Sequence, residues 1–329
     1  MKLVKLRGLS LLVTFFGTPV WAQDVVRIGA FNNRDPVQLI AREKGFFTGE
    51  KITVETNLVT NSVDLMRNFV NAKSDVIHTN ADNIIAWAEG QGEDPQTNDF
   101  VIFIGGSQGV RQRLIVASDV KSVAELRGKV LAVDDPRTGY APVLAYMLKR
   151  HGLVLNKDYT FKALGNTRMR AEAISKGEAA GAVMSLTDEE IAKRGFRLLG
   201  KSEDYVPAYA RGVGAARRPW ANQNETLLVR YIRALVGATD WFLDQKNKEE
   251  AVKLLLKVNE NSESRAEQAY EEAVDLRFGH VPHARIDRDG IIAVIELREA
   301  IGAMKPPLPG PEKYTDDRYY RKAVASPMR

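Results

Sequence analysis

Five short polar turns, each following an apolar run, carry the residues of this sequence best suited to holding a small polar solute. They span residues 31–34, 79–82, 137–140, 166–168 and 185–188. Arg34, Arg137, Arg168 and Arg211 lie in or near them, and a guanidinium fork matches the oxygens of a carboxylate or sulfonate with two parallel hydrogen bonds. Asp82 and Asp188 suit the opposite task, holding an amine, although acids in the first turn of a helix are also routine. A zwitterion gripped at both ends reconciles the two sets. The Arg137-Thr138-Gly139-Tyr140 turn is the strongest candidate: Gly139 admits close backbone approach, Thr138 offers a hydroxyl and Tyr140 a flat apolar wall. Phe31, Asn32 and Asn33 offer an apolar face and amide hydrogen bonds. Thr79, Asn80, Thr167 and Ser185 complete the set of expected contacts.

Other chemistries find less support. The chain has no cysteine, which removes thiol catalysis, disulfides and cysteine-held metal clusters. His280 and His283 have the H-x-x-H spacing but no carboxylate pattern beside them, and read as loop residues. Residues 105–109 lack the lysine of a phosphate-binding loop, residues 287–290 depart from a calcium loop, and no G-x-S-x-G elbow is present. Neither a metal nor a cofactor is expected.

These turns need elements to position them, and the 329 residues supply a repeating pattern. Residues 25–29, 52–55, 75–79 and 100–105 read as strands, with amphipathic helices between them and Pro36 in the first turn of one. A second alternating set follows residues 114–116, with capping boxes at Ser122–Glu125 and Thr187–Glu190. Strands alternating with helices predict mostly parallel sheets with helices on both faces. Beyond about residue 212 the chain turns helical, with a long stripe through Leu228, Tyr231, Ile232, Leu235, Val236, Thr239 and Phe242. A cap at Ser264–Glu267 and a last helix over residues 314–325 are expected. The order α/β, α/β, α is most economical if the chain returns to its first unit, crossing near residues 106–117 and 200–213. The expected division is residues 23–113 with 211–329 as one lobe and 114–210 as the other.

Lys2, Lys5 and Arg7 precede an apolar run over residues 9–16, then Gly17, Pro19 and Val20-Trp21-Ala22, the pattern of a cleaved secretory signal peptide over residues 1–22. The run is shorter than the roughly 20 apolar residues that span a bilayer. Cleavage would remove three of the 47 basic residues and none of the 42 acidic ones, lowering the formal charge from +5 to +2. The argument for a nucleic-acid partner largely leaves with them. Without a cysteine, no lipid anchor on a mature N-terminal cysteine is expected either.

Val26-Arg27-Ile28-Gly29, residues 40–47 (IAREKGFF), Leu126-Arg127-Gly128-Lys129-Val130 and residues 173–179 (AISKGEA) resemble type II periplasmic solute-binding proteins of ABC importers. The likeness is to the branch that binds nitrate, sulfonates, taurine and thiamine-pyrimidine precursors, and covers nearly the whole chain after residue 22. It departs where Ala180 and Gly181 replace the usual acidic residue and alanine. The resemblance implies an α/β, two-lobed fold with a helical C-terminal segment, the five turns around an interlobe cleft, and closure of that cleft on a ligand. It also implies delivery to an inner-membrane permease by a periplasmic monomer. The expected ligand is a small organic anion or zwitterion; a pyrimidine precursor, an enzyme on the same fold, or a partner of a membrane sensor are the other readings.

Overall fold

The structure, a computed structural model, describes residues 23–31, 35–93, 95–137, 139–259 and 262–325. The expected signal peptide, Asn32, Asn33, Arg34 and Thr138 lie outside the described residues.

The chain opens with β1 (Asp24–Ala30), α1 (Pro36–Glu43), α2 (Phe46–Gly49), β2 (Ile52–Leu58), α3 (Ser62–Val70), β3 (Val76–Thr79), α4 (Ala81–Ala88) and β4 (Phe100–Ile104). Asp35 accepts a hydrogen bond from the Gln38 N–H at 2.8 Å and Pro36 takes the first turn, so α1 starts where sequence logic places it. A two-residue strand, β5 (Ser107–Gln108), leads into β6 (Arg113–Val116), β7 (Val130–Val133), α5 (Ala141–Lys149), β8 (Thr160–Ala163), α6 (Thr167–Ser175), β9 (Gly181–Met184), α7 (Asp188–Lys193) and β10 (Arg197–Lys201). The chain returns through β11 (Ala210–Arg211) and β12 (Val213–Arg217). It then continues as α8 (Arg218–Gln223), α9 (Glu225–Leu243), α10 (Lys248–Leu256), α11 (Glu263–Val274), α12 (Arg288–Ala300) and α13 (Asp317–Ala325).

Two five-stranded sheets form, in the orders β2-β1-β3-β12-β4 and β10-β6-β9-β7-β8. In each, four strands share one direction and one opposes them: β12 is antiparallel to β3 and β4, and β6 to β9 and β10. The opposing strand is in both cases the one that follows a crossing between the sheets. The crossings pair with each other, β5 against β11, with Ala210 opposite Gln108 and Arg211 opposite Ser107. Their approach requires glycine: a Cβ on Gly106 would sit 2.1 Å from the Gly212 carbonyl oxygen, and Gly212 itself has φ +60°.

The long stripe becomes α9, which buries Leu228, Tyr231, Ile232, Leu235 and Phe242 and packs against α1 and α13. Thr187 and Glu190 form the reciprocal capping box of α7. Other expectations need correction. Ser262, not Ser264, caps α11, because its hydroxyl reaches the Arg265 N–H. Ser122 opens only a 3-10 turn and makes no capping bond to it; Glu125 bonds back to the Lys121 N–H and the Ser122 hydroxyl. The last helix begins at Asp317 rather than at residue 314. Among the described residues no helix is long and apolar enough to cross a membrane.

Candidate ligand-binding site

A cleft of about 610 Å³ opens where the carboxyl ends of strands from both sheets face each other. Four helices begin on its rim or floor, with Asn61, Asn80, Tyr140 and Asn166 at their N-cap positions. Asn61 caps α3 through the Asp64 N–H, and Asn166 caps α6 through the Met169 N–H. Neither Asn80 nor Tyr140 makes a side-chain cap. The first N–H groups of α4, and that of Ala141 ahead of Pro142 in α5, therefore have no N-cap side chain to accept from them where each helix carries its partial positive charge, an arrangement suited to an oxyanion.

Phe31, Thr79, Asn80, Gly139, Tyr140 and Thr167 line this cleft as expected. Gly139 has φ +68°, and the Tyr140 ring lies 6.1 Å from that of Tyr209, whose hydroxyl donates to the Gly139 carbonyl.

Six expected contacts go elsewhere. Asp82 is completely buried and held by Arg298 at 2.6 Å; burial raises its pKa, while Arg298 and the Gly139 N–H pull it back down. Arg137 folds onto Asp135 at 3.0 Å and donates to the Gly92 carbonyl at 3.1 Å. Arg168 is largely exposed and pairs with Glu172 one helical turn on, 3.0 Å away. Ser185 accepts from Gln112, and the exposed Asp188 pairs with Arg113. Arg211 donates to the Phe278 carbonyl and faces an adjoining cavity of about 580 Å³, shared with Phe31 and His78.

Among the described residues, the charged groups lining the cleft are Arg170 and Asp134, and sequence reasoning passed over both. Arg170 is only 7% exposed; its one described hydrogen bond is a 3.3 Å donation to Thr167 Oγ1, and its Nε has no partner. Burial lowers its pKa, opposed by Asp134 and Tyr140. Asp134 accepts from Ser62 Oγ at 2.5 Å through one oxygen, and its buried Oδ1 is unpartnered. Asn83 donates to Thr79 at 2.7 Å, leaving its own buried Oδ1 unpartnered. One unused donor and two unused acceptors thus lie on residues of a single cleft, where unmet polar groups are costly.

Their signals were present. Arg170 shares the buried face of α6 with Ala171, Ala173 and Ile174, while Arg168 points to solvent. Asp134 directly follows β7, the position the strand-end rule favours.

His78 also lines the cleft, at the end of β3. Its Nε2 lies 3.1 Å from the Gln38 amide nitrogen and 2.9 Å from the Tyr231 hydroxyl, and burial pushes its pKa below the usual imidazole value. The Gln38 amide nitrogen can only donate, so Nε2 accepts from it, and Arg170 is the cation among the described residues lining the cleft. His280 is half-buried with its ring against Phe242, and His283 pairs with Asp240 at the surface.

Two mixed sheets joined by paired crossings, with a polar cleft between them, define a two-lobed solute-binding protein. Residues 48–217, just over half of the chain, match the family described as ABC transporter, phosphonate, periplasmic substrate-binding protein, and the chain belongs to that family. It is the substrate-binding component of an ABC importer, a role that implies a small-molecule ligand and a membrane permease. Solved structures share the fold. The periplasmic nitrate-binding protein NrtA from Synechocystis PCC 6803 is 14% identical, with TM-score 0.71, covering 92% of this chain and 88% of its own. The alkanesulfonate-binding protein SsuA from Xanthomonas axonopodis pv. citri, bound to MOPS, is 16% identical, with TM-score 0.65 and coverage of 89% and 98%. A mutant of DszB in complex with biphenyl-2-sulfinic acid is 14% identical, with TM-score 0.60 and coverage of 92% and 99%. No curated protein matches the chain.

Proposed function

We propose that the cleft captures a small zwitterionic oxyanion, a phosphonate or sulfonate that also carries an ammonium group. The observation that carries this is Arg170, a buried cleft cation whose described hydrogen bonding is a single 3.3 Å donation to Thr167. With the uncapped starts of α4 and α5, Arg170 supplies positive charge to the oxyanion. Asp134 Oδ1 and Asn83 Oδ1 supply acceptors for the ammonium. The zwitterion anticipated from sequence is retained; Asp134 replaces Asp82 and Asp188 at its cationic end, and Arg170 replaces Arg137 and Arg168 at its anionic end.

Capture works by closure of residues 114–210 against residues 23–113 and 211–329 about the paired crossings, with contacts to ligand that the open form does not make. The working protein is a periplasmic monomer released from residues 1–22, without a lipid anchor, that delivers its ligand to the permease and does no chemistry on it. The absence of any cysteine supports the last point against thiol-dependent reactions.

A thermal-shift panel tests this with aminoethylphosphonate and ethylphosphonate, aminoethanesulfonate and ethanesulfonate, nitrate, and neutral pyrimidines. An ammonium-bearing oxyanion should raise Tm most. A response only to pyrimidines would replace the reading with that of a pyrimidine-precursor carrier.

A further inference from the structure

Behind the cleft, one buried guanidinium joins both walls. Arg298, on α12, is 1% exposed and donates from Nη1 to Asp82 Oδ1 at 2.6 Å and from Nε to Gln91 at 3.1 Å. The same Nη1 reaches the Arg137 carbonyl oxygen at 3.4 Å. Asp82 and Gln91 belong to the part of the chain that builds the first sheet, whereas Arg137 follows β7 of the second. Asp82 lies two residues beyond cleft-lining Asn80, and the Arg137 carbonyl two residues before cleft-lining Gly139. α12 packs on α4 from one side and α5 from the other, and Lys149 at the end of α5 donates to the Ala300 carbonyl at the end of α12.

We propose that Arg298 is a positioning residue for ligand capture, a clasp that holds the two cleft walls at their closed spacing before ligand arrives. The proposal rests on the binding-protein reading of the cleft. The arms of the clasp differ in strength. Separating Arg298 from Asp82 would strand two buried charges, so the guanidinium stays with the first wall. The 3.4 Å arm to the Arg137 carbonyl is the weaker one, and opening breaks it while the ion pair remains intact. The clasp biases the ligand-free protein toward closure. Without it the closed fraction falls, and apparent affinity falls by the same factor.

The test is solution scattering of the ligand-free protein, alongside thermal unfolding and titration with the best-binding probe of the panel above. Arg298→Lys keeps a charge for Asp82, but its single donor nitrogen cannot hold Gln91, Asp82 and the Arg137 carbonyl in the guanidinium's geometry. Asp82→Asn with Arg298→Met removes the pair without leaving a lone buried charge. Both should give a larger ligand-free radius of gyration than wild type and affinity weaker by about two- to tenfold. Saturating probe should restore the wild-type radius. A purely structural role would lower Tm without changing the radius, so an unchanged radius in folded Arg298→Lys overturns the proposal. Should neither variant fold, wild type alone decides: a ligand-free radius that contracts little on saturation supports the clasp, and a large contraction overturns it. A wild type that binds no probe instead defeats the ligand reading, leaving the ligand-free comparison intact.

Discussion

Ser62 and Asp134 touch across the cleft, the serine hydroxyl donating to Asp134 Oδ2 at 2.5 Å from the start of α3 to the end of β7. One residue belongs to the wall of the first sheet and the other to that of the second. The contact holds the carboxylate in place and leaves its second oxygen unpartnered, near enough to Arg170 to favour that residue's charged form. A carboxylate and a guanidinium held in one small cleft are what the proposed zwitterionic ligand requires.

Asp134→Asn should weaken binding of aminoethylphosphonate or aminoethanesulfonate by about tenfold, since a charge-assisted hydrogen bond becomes a neutral one. Ethylphosphonate and ethanesulfonate should bind the variant as well as wild type, or better. Calorimetric titration of the matched pairs measures this, and equal losses for both members would place the ammonium elsewhere.

Arg170→Met should weaken every oxyanion by on the order of 10- to 100-fold, the contribution of hydrogen bonds to a charged group in a desolvated site. The fold should survive, because the substitution removes a buried charge without stranding an ion-pair partner. Unchanged oxyanion affinity in the folded variant would remove Arg170 from the site.

Arg168 and Arg170 also show where sequence reading stops. Both follow the Asn166 cap, and only the helical turn separates a solvent-facing Arg168 paired with Glu172 from an Arg170 buried at the cleft. The sheet and helix order, the α9 stripe and the α7 capping box were legible because local periodicity and caps encode them. Strand direction was not: nothing in Leu114-Ile115-Val116 or Val213 distinguishes β6 and β12 as the opposing strands. Asp82 fitted an amine-binding role equally well until Arg298, 216 residues away, was seen to hold it. Six expected cleft residues did line the cleft, because the strand-end rule depends only on local order.

Gly106→Ala should destabilise the protein by about 2 kcal/mol or more, because the new methyl group would meet the Gly212 carbonyl at 2.1 Å and force the paired crossings apart. Denaturant unfolding measures it. Wild-type stability in this variant would mean that the crossings tolerate separation.

Acid should weaken the fold through two half-buried histidines. Burial holds His78 and His280 below the usual imidazole pKa, so near pH 6.5 the unfolded chain takes up protons that the folded chain does not. The unfolded state then binds more protons, and stability falls with pH. The contribution is whole above about pH 6.5 and is lost as pH falls toward the lower folded values. Asp82, whose folded pKa is raised, acts in the opposite sense. His280→Gln should flatten the acid decline by up to about 1.4 kcal/mol per pH unit, and an acid limb parallel to wild type would contradict this.

Asp134 and Arg170 are proposed to read a zwitterionic oxyanion together. Calorimetric titration of wild type with aminoethylphosphonate, ethylphosphonate, aminoethanesulfonate and ethanesulfonate tests it most directly. The account predicts that at least one ammonium-bearing member binds about tenfold or more tightly than its match, an advantage that Asp134→Asn abolishes. Equal or tighter binding of the members without ammonium would contradict it.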